Sequence, residues 1–354
     1  MRATAPRERV RQSDVARRAN VSTAVVSHVL RGRAGATIRV GPDTERRVWD
    51  AVRDLGYVPN VVAQTLARGE RRLLGVFTYE ALFTAARGAF YVPFLLGIEE
   101  EAETRGYDLV LFTSTSGQAR RRDVFREGSN RLALADGSVL LGHERSKRDV
   151  ERLLREGYPF VFVGRRELVG HSIPFVAADY AGATRRLIEH LATLGHRRFG
   201  LVHGGEDVES SVDRRSGYVT GLTTLGHAPG AASASMVRAD AASAPWLRTA
   251  LDGGTTALLV ENDGIGRRLL VLAREDGVRV PDDLSVAVLG DPLEPEPDDP
   301  PWTTFAIPRR EMGREAVALL LQVITGLTGP EAQRTLACAL VAGATAAPPP
   351  SGRT

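Results

Sequence analysis

Cysteine is almost absent from this sequence: Cys338 stands alone in 354 residues. One thiol forms no internal disulfide and no cysteine-based zinc site, so Cys338 reads as a small buried hydrophobe. Long apolar runs are missing too. The longest uncharged apolar stretch, Gly88 to Ile98, is too short to span a bilayer and contains Pro93. Residues 1–12 are basic but carry no apolar segment of the kind an export signal needs, which makes the cytoplasm the expected location. No catalytic constellation is visible. The 7 His are scattered, with no HxxxH pair. Gly204-Gly205-Glu206 lacks the GxxxxGK[ST] frame of a phosphate loop and reads as a strand-end turn. The expectation is therefore no metal, no cofactor and no enzymatic activity.

What is present is a globular composition, 43% hydrophobic and 25% charged, in a chain long enough for more than one domain. Its charge is uneven. Residues 1–72 hold 15 Arg against 7 acids, a net +8, so the remainder carries −5 of the whole chain's +3. A basic head on a mildly acidic body is the footprint of a phosphate-contacting module, although a solvated basic face gives the same count. Lys147 is the only lysine, and arginine favours bidentate contacts to phosphate and guanine.

Within that head, residues 13–32 read as two short helices joined by a tight turn. Ser13 is a candidate cap for the first helix, with Val15, Ala16 and Ala19 as its apolar face. Asn20 suits a left-handed C-terminal residue, and Ser22 is a candidate cap for the second helix. Val25, Val26, Val29 and Leu30 form one stripe; Ala24, Ser27, His28 and Arg31 form the opposite face. That face starts small and becomes polar or basic, which suits a helix laid in a major groove. An ordinary αα-hairpin has the same pattern. A third helix starts at Pro42-Asp43 with Val48, Trp49, Val52 and Leu55 as its expected buried stripe, and ends at Gly56. Asn60 and Gly69 bracket a short segment that alone is unstable as a helix in water.

DVARRANVSTAVVSHVL followed by RRVWDAVRDLGYVPNVVAQTLA resembles the head of the lactose-repressor (LacI/GalR) family of transcription regulators. The resemblance implies a helix-turn-helix head, a hinge helix that folds against a partner copy and DNA, and Leu66 as the apolar wedge that kinks a minor-groove step. It implies DNA contacts from Ser13, Ser22, Thr23, Ala24, Ser27, His28, Arg31, Arg33, Asn60, Ala63, Gln64 and Leu66. This chain departs from the family in three places. His28 stands where the family usually has Arg, which reads guanine through two hydrogen bonds as His cannot. Thr23 and Ala24 replace larger polar residues and suit thymine methyl groups. The Arg-rich link after Arg31 is longer than usual, either a passive loop or a wing beside the groove.

From Leu73 on, apolar strands alternate with amphipathic helices. Strands are expected at 73–77, 108–112, 138–141, 159–163, 175–179, 198–202, 257–260 and 284–289, and helices near 93–105, 118–131, 147–156 and 181–194. Two α/β subdomains follow, with ligands collecting at strand carboxyl ends across a cleft. Blocks such as YAGATRRLIEHLATLGHRRFGLVHG, DRRSGYVTGL and LLVENDG resemble the family's effector domain, related in fold to periplasmic sugar-binding proteins. The implied division is an arm at 1–12, a DNA-binding head at 13–58, a hinge at 59–70 and an effector-binding and dimerisation domain at 71–346. Its subdomains are 73–190 with 309–335, and 191–308 with 336–346; the Pro-rich tail 347–354 is expected to be disordered.

The resemblance makes Arg214 the residue that grips the effector and Asn262 its strand-end amide, with Asp263 capping the next helix. Asp291 follows a strand where the family often shows two Asp; here Gly290 takes the other place. Asp179 suits a turn or a ligand contact equally. Phe77, Tyr79, Phe90 and Tyr91 lie near the first strand's end, available for sugar stacking or core packing. The expected function is a repressor binding a near-palindromic operator as a homodimer, switched by a small-molecule effector, expected to be a sugar. A solute-binding protein without a DNA role would need an export signal and no basic head. A sugar-modifying enzyme would need a converging nucleophile or acid–base pair.

Overall fold

The computed structural model describes residues 10–31, 40–58, 71–82, 85–115, 122–142, 147–228, 230–231, 235–292 and 296–350, without the side chains of Arg31 and residues 85–87. The chain forms two compact units, Met1–Arg72 and Leu73–Thr354.

Among the described residues the first unit, the head, holds three helices: α1 (Gln12–Ala19), α2 (Thr23–Arg31) and α3 (Pro42–Leu55). Val15, Ala16, Ala19, Val26, Val29, Val48, Ala51 and Val52 make its core. Two expectations change. Ser13 is not the α1 cap: the helix starts one residue earlier, and Asp14 accepts the Arg11 backbone N–H at 2.9 Å. Trp49 leaves the core and is 40% exposed. Spacing from Val48 brings Ala51 and Val52 beneath the helix and turns position 49 about 100° away. Asn20 adopts the left-handed conformation at φ 52°, as its side chain allows.

The second unit has two lobes. The first is a six-stranded parallel sheet of β1 (Leu73–Thr78), β2 (Asp108–Phe112), β5 (Gly137–Leu141), β6 (Phe160–Val163), β7 (Phe175–Ala178) and β13 (Gln333–Leu336), in the order β13-β7-β6-β5-β1-β2. Helices α4 (Ala85–Thr104) and α10 (Arg309–Ile324) cover one face; α5 (Arg148–Arg155) and a 3₁₀ turn cover the other. The four inner strands are buried on both faces and read as apolar runs, while the edge strands β2 and β13 are partly exposed. The second lobe is a parallel sheet of β8 (Phe199–His203), β9 (Met236–Arg238), β10 (Ala257–Val260) and β11 (Ser285–Val288), ordered β11-β10-β8-β9. It packs with α6 (Tyr180–Thr193), α7 (Glu209–Thr224), α8 (Ala244–Asp252) and α9 (Asp263–Glu275). An antiparallel pair, β12 (Thr304–Ala306) and β14 (Ala339–Val341), completes it.

Several sequence expectations are corrected. The helix expected from 93 already runs from Ala85, with Pro93 inside it. In place of a helix near 118–131, residues 125–130 form a hairpin of β3 (Phe125–Arg126) and β4 (Ser129–Asn130). Glu127 and Gly128 turn it with φ 50° and 80°, a conformation that glutamate seldom signals. The tail is ordered at its start. Ala347 exchanges hydrogen bonds with Ser285 Oγ at 3.0 Å in both directions, and its carbonyl accepts from His196 Nε2 at 2.9 Å.

His196 is 1% exposed, and its Nδ1 accepts from the Thr256 hydroxyl at 2.9 Å. Burial pushes its pKa below the ordinary histidine value, partly opposed by the bond to Ala347. The unfolded chain therefore takes up the proton first on acidification, near pH ~6.5. The neutral ring contributes its full stability above that pH and loses it as pH falls towards the folded pKa. The melting temperature should drop between pH 7.5 and 5.5, and His196→Gln should flatten that slope in a calorimetric pH series.

Candidate nucleic-acid interface and effector cleft

On the head, α2 presents Thr23 and Ala24 exposed at its start, after the exposed Ser22, with Ser27 and His28 half-buried along the same face. Ser22 Oγ accepts the Val25 N–H at 3.3 Å, which sets the entry of the helix. Ser13 is exposed on α1. The backbone of Arg31 ends α2. Arg33 in the long link, and Asn60, Ala63, Gln64 and Leu66 in the hinge, lie outside the described residues.

In the second unit the carboxyl ends of both sheets face one cleft. It contains two adjoining hollows of about 600 and 640 Å³ that share Phe90, Tyr180 and Ser210 as common wall. The larger is polar and brings together three of the sequence candidates, Arg214, Asn262 and Asp291. Arg214 rises from α7. Its Nε donates to the Leu289 carbonyl at 2.7 Å and its Nη1 to the Ser210 carbonyl at 3.1 Å, while the guanidinium lies 3.9 Å over the Tyr180 ring. No ion pair engages Arg214 among the described residues. Gly290, at φ 132°, makes room for it, since a Cβ there would stand 3.3 Å from Arg214 Nη2.

Asp291 accepts the Ile307 N–H at 2.9 Å and pairs with Arg309 Nη1 at 3.0 Å. Arg309 in turn lies 4.9 Å over Phe90. Glu261 also lines this hollow; it accepts the Gly204 N–H at 2.6 Å and the Ser211 hydroxyl. The second hollow is mainly apolar, walled by Phe90, Tyr91, Phe94, Val163 and Met312, with Arg165 and Asp213 at its polar edge. Carboxylates, a guanidinium and an amide at one end, with aromatic rings beside them, form a surface that can hold hydroxyls and stack on an apolar ring face.

Several site expectations change. Asn262, not Asp263, caps α9: its Oδ1 accepts the Ile265 N–H at 2.9 Å, while Asp263 is buried against Arg267 at 2.8 Å. Phe77 does not face the cleft. It is wholly buried on the far side of the first sheet, because side chains alternate faces along a strand. Tyr79 packs on Phe77 at 4.9 Å and on Phe162 at 6.4 Å and lines neither hollow. Asp179 caps α6 by accepting the Gly182 N–H at 2.8 Å; its neighbour Tyr180 is the one in the cleft wall. Ser210 was recoverable as the residue one turn before Arg214, and Glu261 as the strand-end position before Asn262. Tyr180 and the Arg309–Asp291 pair carry no sequence signal of comparable strength.

Residues 13–60 match the model of bacterial regulatory proteins of the lacI family, and residues 188–346 match a periplasmic binding protein-like domain. The HTH-type transcriptional regulator CelR of Thermobifida fusca is 31% identical over 320 residues, covering 89% of this chain and 92% of the relative. The chain belongs to the LacI family of bacterial transcriptional regulators. The HTH-type transcriptional repressor CytR of Escherichia coli (strain K12) is 29% identical to this regulator, covering 93% of its chain and 94% of the relative. Among solved structures, the lac repressor dimer bound to operator and the anti-inducer ONPF gives a TM-score of 0.67 at 25% identity, covering 96% of this chain and 100% of that one. A CelR–cellobiose complex gives 0.60 at 26% identity, covering 95% and 100%. This LacI-family regulator thus joins a helix-turn-helix head to a periplasmic-binding-protein-like body. No helix among the described residues is long and apolar enough to cross a membrane.

The cap assignment is testable apart from any ligand. Asn262→Ala should cost about 1 kcal/mol in urea unfolding, with Asn262→Asp recovering most of it. A wild-type midpoint in the alanine variant would remove the cap role.

Proposed function

We propose that this regulator is a repressor that binds a near-palindromic operator as a homodimer, and that a small polyhydroxyl effector, a sugar, held between the lobes switches that affinity. The observation that carries the effector half is the polar hollow built around Arg214, Asn262 and Asp291, next to aromatic walls at the lobe boundary. CelR, its relative, has a structure in complex with cellobiose, which supports the sugar class. The working division is an arm at 1–12, a head at 13–58, a hinge at 59–70 and an effector domain at 71–346.

The operator half rests on the exposed start of α2, on the net +8 of residues 1–72, and on a lac repressor relative whose structure is a dimer on its operator. Ser22, Thr23, Ala24, Ser27 and His28 read the groove. Ser13, Arg31 and Arg33 serve the flanking backbone. Asn60, Ala63, Gln64 and Leu66 supply the hinge. Val92 and Leu96, one turn apart on α4, are 41% and 43% exposed, and Leu111 on the edge strand β2 is 38% exposed. These apolar side chains fit burial against a second copy. An effector shifts operator affinity only by binding one state better; release on binding is the sign we assign.

Two measurements test the halves separately. In a binding-site selection, His28→Arg should recover a different half-site from the wild type, with guanine enriched where the new side chain reaches; identical logos would mean that His28 reads no base. Arg214→Ala should abolish the sugar-induced shift of the operator-binding isotherm, and a wild-type shift would exclude Arg214 from the site.

A further inference from the structure

A set of charged contacts joins the two lobes beside the effector cleft, and the function proposed above does not use it. Arg165, Arg166 and Glu167 follow β6 in the first lobe. Glu209 and Asp213 lie one turn apart on α7 in the second. Arg165 grips Asp213 with two hydrogen bonds, Nε to Oδ2 at 3.0 Å and Nη2 to Oδ1 at 2.7 Å. The Glu167 N–H donates to Glu209 Oε1 at 3.2 Å, and Arg166 Nη1 stands 3.8 Å from Glu209 Oε2. Arg165 also pairs with Glu167 in its own lobe.

The Arg165–Asp213 side chains are only 23% and 21% exposed, and both line the apolar hollow. Two parallel bonds fix orientation as well as distance, and partial burial weakens screening by salt. Separation of the lobes by a few ångströms breaks both bonds, so they belong to the closed cleft alone. Positions on a helix four apart share a face, and neighbours lie about 100° round. Asp213 and Glu209 therefore occupy one face of α7, while Ser210 and Arg214, which serve the polar hollow, occupy the next. One rigid helix carries both the interlobe contact and the arginine of the cleft.

We infer that the Arg165–Asp213 pair is a closure clasp: it holds the two lobes together and so positions Arg214 against the first lobe before any effector arrives. Its members are positioning residues, acting through α7. The geometry of closure needs no effector, so the inference stands or falls independently of the sugar assignment.

The test measures lobe separation directly. Nitroxide labels on Arg155→Cys in the first lobe and Asp252→Cys in the second report the interlobe distance by pulsed electron resonance in full-length protein, the native Cys338 being buried. Wild type should give one dominant short distance. Arg165→Gln and Asp213→Asn should each raise the longer-distance population about fivefold, the scale expected for a well-aligned ion pair. The double variant should open no further than either single one, since the same pair has been removed. An unchanged distribution in Asp213→Asn, or opening in the double variant equal to the product of the single effects, overturns the clasp. Thermal unfolding checks that each variant is folded. Should one fail that check, Arg165→Lys, which keeps the charge but loses the two-bond grip, is measured in its place: a raised longer-distance population supports the clasp, and an unchanged distribution overturns it.

Discussion

The chain crosses between its two lobes three times, and the rest of the effector unit depends on those crossings. The first passes through Asp179 between β7 and α6. The second passes through Ile307-Pro308 between β12 and α10. The third passes through Ala337-Cys338 between β13 and β14. They are bonded to their surroundings. The Asp179 N–H donates to the Leu336 carbonyl at 2.8 Å, Arg186 reaches Asp179 and the Cys338 carbonyl at 3.4 Å each, and Ile307 donates to Asp291. The first and third crossings share hydrogen bonds and the second is held to Asp291, so the three short segments act as a hinge rather than as loose linkers. The cleft they define is where both parallel sheets point their carboxyl ends.

That geometry explains why the cleft residues sit next to hinge residues in sequence. Tyr180 follows Asp179 directly, and Asp291 is tied to Ile307. Arg309 begins α10 just past the second crossing. A shift in the angle between lobes is therefore felt at Asp291 and Tyr180 without a long relay. Arg214 differs. Its anchors, Leu289 and Ser210, both lie in the second lobe. It moves with that lobe as a rigid donor, and its approach to the first lobe is set by whatever holds α7 across the gap.

The alternation of apolar strands and amphipathic helices made the two-sheet body legible, and the head was legible from its helix spacing together with its resemblance. The losses have physical causes. Trp49, a large apolar residue one step from Val48, looks like core on hydrophobicity alone, whereas helical geometry selects Ala51. The β3–β4 hairpin is not legible in the sequence because its turn uses Glu127 at positive φ, which composition does not flag. Strand ends collect ligands, which on sequence alone points Phe77 and Tyr79 at the cleft. Which face a side chain takes in a doubly covered sheet is not encoded in an unbroken apolar run.

Arg214, Asn262 and Asp291 were legible as strand-end or motif positions, while their partners were not. A carboxylate that caps a helix and one that meets a ligand look alike in sequence, as Asp179 and Asp263 demonstrate: each serves the start of its helix, by capping α6 or pairing within α9. Asp213 is the sharper case. In sequence it is the nearest acid to Arg214, and a local ion pair between them would have been the simplest reading. On the helix those two side chains point about 100° apart, and the acid turns away to Arg165, 48 positions earlier in the chain. That separation leaves Arg214 to its carbonyl anchors and the Tyr180 ring. It also gives the cleft a guanidinium that no acid of the chain neutralises among the described residues, in a hollow whose own carboxylates are engaged elsewhere.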